Sequence, residues 1–337
     1  MLSILPHAVL TLTLLAPVPA TINRLPRTTL ICATEAGTDA VAAHNNLPGV
    51  TEKSVAPPPL PQHMSGGVAA ATASLSVWML SSRLGVVPAT ALVGTLGGTS
   101  LLAPSWRLPF FCGAFVGMSS RSVLASAASA VLAGWFAGGV TLPLLDGHSG
   151  GGAAFQGCGG RLGFAAMLTS IAAWASLCLW RGTLFAGAAT LIAAPPMPIS
   201  WSASILGPLI GALGTKLWMD TMARPWTNGT ERLANSVTAS SAVTGLACLL
   251  GCSPPWQAPI FTGSFVAMSA PKVLATYQEL AGASLAAALA HILLAGCLAH
   301  GFGGRLGFSA LVGVLSYSRL RQYSCDLGMP PRDEYGS

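Results

Sequence analysis

Apolar residues in this chain gather in continuous blocks of about 15 to 25, with neither the two-residue alternation of a half-buried strand nor a narrow helical stripe. Blocks of that length suit helices crossing roughly 30 Å of hydrocarbon. They predict helices near 66–82, 86–103, 122–145 and 162–180, and again near 201–219, 235–252, 273–297 and 305–320. A membrane β-barrel would need short segments of alternating polarity. These runs are instead continuous and rich in Ala, Leu and Gly. The expected fold is all-α: a polytopic integral membrane helix bundle of eight or nine spans.

The pattern also repeats. Pro104 to Ser119, PSWRLPFFCGAFVGMS, returns at Pro254 to Ser269 as PPWQAPIFTGSFVAMS, 150 positions later. GCGGRLGF at 157–164 returns as GFGGRLGF at 301–308, offset by 144. The chain reads as two homologous tandem repeats, an arrangement that in membrane proteins sets a shared site where the halves meet. The prolines and glycine of the longer motif are expected to break a helix. Broken backbone at membrane depth is tolerated only against protein or a water-filled cavity, so each motif is a candidate re-entrant segment. Gly113, Ser119, Gly263 and Ser269 are then candidates for lining a substrate pathway. The apolar stretch 183–196 decides the relation of the halves. If it crosses the bilayer, equivalent motifs are five spans apart and the repeats are inverted; otherwise they are parallel. Inversion is the expectation.

Around the repeats, residues 1–20 read as a signal peptide or N-terminal anchor, with small residues at Val18-Pro19-Ala20. Residues 21–63 form a polar, Pro-rich lead, disordered or targeting. Repeat 1 is assigned to 64–182, an apolar connector or extra span to 183–200, repeat 2 to 201–320, and a solvated tail to 321–337. The chain is expected to be integral to a membrane, and the N-terminal segment leaves the secretory pathway and organelle membranes open as its compartment. Asn228-Gly229-Thr230 is a glycosylation acceptor by pattern, relevant only in a secretory lumen.

Composition narrows the function classes. Only 8% of residues are charged, against roughly 25% in a soluble domain, so lipid is the solvent and the first partner. The formal charge of +6 is thinly spread, without the basic cluster that nucleic acid requires. The eight cysteines show no metal-type spacing, and neither metal nor cofactor is expected. The Gly-rich blocks lack the preceding strand and following Lys-Ser/Thr of a phosphate loop. Asp146, His148 and Ser149 sit among glycines, an unsuitable frame for a nucleophile and its base. No catalytic constellation is found, and the chain is not expected to be an enzyme.

Four ionisable residues stand out. Arg161 and Arg305 each open a helix, where the backbone dipole disfavours a cation. They either snorkel to lipid phosphate, pair with a buried acid, or hold an anion. Glu279 and His291 fall inside an apolar span and are candidates for coupling to a proton or cation. Ser129 occupies the matching place to Glu279 in the first half, so a titrating site is one-sided. Glu279 near the interface, favoured by a helix N-terminus, is the competing reading. The functional expectation is passage of a small solute or ion between the two broken segments. The alternative is a structural or assembly subunit of a larger membrane complex, with homo-oligomers and complex partners both open.

Overall fold

A computed structural model describes residues 62–98, 102–145, 155–183, 200–222, 236–295 and 301–326, all within one unit, Leu60–Ser337. Among these residues only helices and connecting turns occur. The leader and most of the polar lead, the Asp146 insertion, most of the 183–200 connector, Asn228 and the end of the tail lie outside the described residues. The helices are α1 (Gln62–Leu84), α2 (Val86–Gly98), α3 (Pro104–Gly117), α4 (Ala127–Leu145), α5 (Arg161–Trp180), α6 (Trp201–Met222), α7 (Ser236–Leu249), α8 (Pro254–Ala267), α9 (Tyr277–Ala295) and α10 (Arg305–Asp326).

Three of them, α4, α5 and α9, are long and apolar enough to cross a membrane. Among the described residues the fold thus has fewer such helices than the eight or nine expected. Two causes share the shortfall. Of the expected spans, α2 and α7 have 13 and 14 residues, about 20 Å at 1.5 Å per residue, two thirds of the hydrocarbon thickness, whereas α1, α6 and α10, with 23, 22 and 22 residues, are long enough but less apolar. The outer face of α9 is nonetheless consistent with lipid contact. On α9, Leu285, Leu289 and Leu293 are exposed at 44%, 62% and 71%; four residues apart, they form one apolar stripe.

The Pro-rich motifs differ from expectation. They do not break at their prolines; both are helices, α3 and α8. Pro104 and Pro254 sit in the first turn, where an N–H has no helical partner in any case. Pro109 and Pro259 then remove a single internal hydrogen bond. The break comes later, over 118–126 and 268–276, where the chain leaves α3 or α8 in turns before entering α4 or α9. Gly113 and Gly263 are mid-helix. A Cβ on Gly113 would run into the Ala70 backbone of α1, and one on Gly263 into Pro208 of α6. Both glycines are contact points that let the backbones of neighbouring helices touch.

Helix α1 packs against α3 and α4, α6 against α8 and α9, α2 against α7, and α10 against both α9 and α5. α4 carries a π-helical turn over Ala137–Thr141. Thr169 of α5 donates to Thr141 in that turn at 2.8 Å. At the centre of the core, four rings meet from α3 and α8. Phe115 lies 4.9 Å from Phe265, and Phe111 and Phe261 flank the pair at 6.4 and 6.0 Å across the helices.

Candidate functional site

The C-terminal ends of α3 and α8 and the N-terminal ends of α5 and α10 converge. The Ser119 hydroxyl, just past α3, accepts the Gly303 N–H at 2.8 Å. The Ser269 hydroxyl, just past α8, accepts the Gly159 N–H at 2.9 Å. Beside these bonds, Ser120 donates its N–H to Gly301 O, and Ala270 donates its N–H to Gly157 O, both at 2.7 Å. Each helix end thus hands its unpaired main chain to a loop far away in sequence, which satisfies backbone polarity away from lipid.

The α5 and α10 starts also lie on one another. Gly160 and Gly304 hold φ of +88° and +85°, a region that costs any residue with a Cβ about 1–2 kcal/mol. A Cβ on Gly160 would come within 2.7 Å of Leu311 N, one on Gly163 within 2.5 Å of Gly307 Cα, and one on Gly304 within 2.7 Å of Met167 N. Rising numbers on one helix meet falling numbers on the other, so these turns run antiparallel. Phe164 and Phe308 stack beside them at 5.6 Å between centroids. Arg161 and Arg305 are the first residues of the two helices, and both are partly buried.

Two cavities adjoin this junction. One of about 150 Å³ is lined by Leu108, Phe115, the Gly157–Gly163 stretch, Ser236, Phe265 and Met268. The other, of about 300 Å³, is lined by Lys216, Met219, Ser236, Ala267 to Pro271, Leu274 to Thr276 and Leu280. Ser236 and Met268 border both. Lys216 bridges to Asp220 at 2.7 Å, and the Tyr277 hydroxyl donates to the same carboxylate at 2.6 Å, which ties α6 to α9 beside the larger cavity.

Glu279 has a different setting from the junction. Its carboxylate accepts the N–H groups of Ala275 and Thr276 at 2.6 and 3.4 Å, and the Thr276 hydroxyl accepts the Glu279 N–H at 3.2 Å. Its other oxygen pairs with Arg321. This is a capping box, with Thr276 before the helix and Glu279 three residues on. In the first half Ser126 and Ser129 make the same reciprocal pair at the start of α4, at 3.2 and 3.0 Å. Glu279→Ala is expected to lower stability by about 1 kcal/mol, through loss of the capping bonds to Ala275 and Thr276. Arg321→Ala should cost less, because that side chain is 50% exposed and screened. Thermal unfolding of the two variants in detergent measures the order. His291 is buried in α9, and among the described residues its Nδ1 has no hydrogen-bond partner.

The junction therefore gathers Ser119, Ser269, Arg161 and Arg305 of the sequence-derived candidates, while Gly113 and Gly263 pack against α1 and α6. Sequence reasoning missed Gly159 and Gly303 as donors, and Lys216, Ser236 and Met268 as cavity walls. Lys216 carried a signal, a cation inside an otherwise apolar run. Among the described residues no group of three or more His, Cys, Asp or Glu side chains is arranged to hold a metal. Comparison with protein-family models, with curated proteins and with solved structures gives no match for this chain.

Proposed function

We propose that the protein is a membrane transporter or channel built from two inverted repeats, passing a small solute or ion through the junction of α3, α5, α8 and α10. The observation that carries the reading is the exchange of bonds there: Ser119 with Gly303, and Ser269 with Gly159. These are the same positions of the sequence repeat with the halves interchanged, as a two-fold relation between them would give.

The antiparallel overlap of α5 and α10 supports the inverted relation. Helices of 20 and 22 residues are about 30 and 33 Å long, and the seven residues they share occupy about 10 Å. End to end they cover about 50 Å. That length suits a hydrocarbon layer of roughly 30 Å with the shared turns in its interior and the far end of α10 beyond it, an arrangement in which matching helices leave the centre toward opposite faces. Arg161 and Arg305 then sit deep, beside two helix N-termini. Positive charge concentrated there suits a solute with negative or acceptor oxygens. The route follows Ser269 and the two cavities that share Ser236 and Met268.

Stopped-flow swelling of proteoliposomes with glycerol, glycine, acetate or phosphate as the test solute measures passage. Ser236→Trp and Met268→Trp fill the shared wall and should cut flux at least tenfold. Leu293→Ala, on the lipid-facing stripe, should leave it unchanged. Flux that is indifferent to both tryptophans defeats the pathway; stoichiometric membrane partners co-purifying with an impermeable protein would favour the assembly-subunit reading instead.

A further inference from the structure

Ser119 and Ser269 accept equivalent bonds, yet their hydroxyl protons have different fates. Ser119 is 5% exposed and donates to Ser170 Oγ at 3.1 Å. Ser170 donates onward to Ala166 O at 2.8 Å. The first-half chain of hydroxyls is closed. Ser269 accepts from Gly159 but, among the described residues, its O–H has no acceptor. The sequence explains the difference. Ser170 stands nine residues after Arg161, and nine residues after Arg305 stands Val314, fully buried and without a polar atom. Ser269 lines the cavity of about 300 Å³, with Lys216 and Thr276 on the same wall. A hydroxyl proton there is satisfied by whatever acceptor enters the cavity.

Building on the transport reading, we propose that the halves have diverged, and that only the second retains a solute site. Ser269 donates its hydroxyl proton into the larger cavity, to a small solute carrying an acceptor oxygen. The Ser119–Ser170 bond seals the matching place in the first half. Ser269 is then a specificity residue, and Val314 is the substitution that keeps its proton available.

Two measurements test this. In full-length protein, Ser269→Cys should react with sulfonatoethyl methanethiosulfonate at least ten times faster than Ser119→Cys, read by mass spectrometry of each peptide. Equal or reversed rates overturn the divergence. In the unsubstituted protein, hydrogen peroxide should oxidise Met268 faster than Met118. Sodium acetate, the acceptor probe, should slow Met268 oxidation relative to sodium chloride, and this protection should vanish in Ser269→Ala. Protection that persists in Ser269→Ala, or is absent from the unsubstituted protein, removes the donor role. Labelling and protection as expected in a protein that passes no solute would retain the site and reject transport, so the two readings fail separately.

Discussion

Gly304→Ala should leave no monodisperse protein. At φ +85° a new methyl costs about 1–2 kcal/mol in backbone strain alone. The same methyl would press on the main chain of α5, within 2.7 Å of Met167 N and closer still to Gly163 O, atoms that cannot rotate away. The helix pair must separate. The combined loss should exceed about 4 kcal/mol, a large share of the roughly 5–15 kcal/mol that holds a protein folded. Gly182→Ala isolates the strain. Its φ is +64°, but nothing lies within 4 Å of its added Cβ, so the expected cost is about 1 kcal/mol. Fluorescence-detected size exclusion with thermal unfolding compares them. Equal melting temperatures would mean that the α5–α10 contact is not tightly held.

The second large effect is all-or-none. Arg181 caps the C-terminal end of α5, and Arg319 lies near the same end of α10, both exposed. With inverted halves, Arg181→Cys and Arg319→Cys must face opposite sides of the bilayer. A membrane-impermeant maleimide applied to sealed vesicles of one orientation should label one variant before lysis and the other only after it. Labelling of both from one side would make the repeats parallel and the proposed mid-membrane junction untenable.

Helix positions were mostly legible because long apolar blocks leave a chain few alternatives. The start of α5 at Arg161 falls within one residue of expectation, and α10 begins at Arg305 as read. Proline misled. A Pro in an apolar run reads as a break, yet at the first turn it costs almost nothing, and one lost bond did not stop α3 or α8. The actual interruption at 118–126 contains Ser-Ser-Arg-Ser, which carries no strong breaker. It is set by Ser119 and Ser120 bonding to Gly303 and Gly301, partners more than 180 residues away. Such pairings lie outside any local window. Glu279 was half legible: Thr276-Tyr277-Gln278-Glu279 has the spacing of a capping box, but the apolar context drew attention to charge instead. The π-turn at Ala137–Thr141 left no pattern in the sequence.

The exchanged bonds of the junction also bear on how the chain is made. Ser120 needs Gly301, and α5 needs the first turns of α10. At about 5–20 residues per second, translation brings those partners roughly 6–26 s after the first half has emerged. During that wait, newly inserted helix ends hold polar backbone without its native match. The nascent half must keep those groups wet or lend them to a temporary partner, and it can close only when the last two helices arrive.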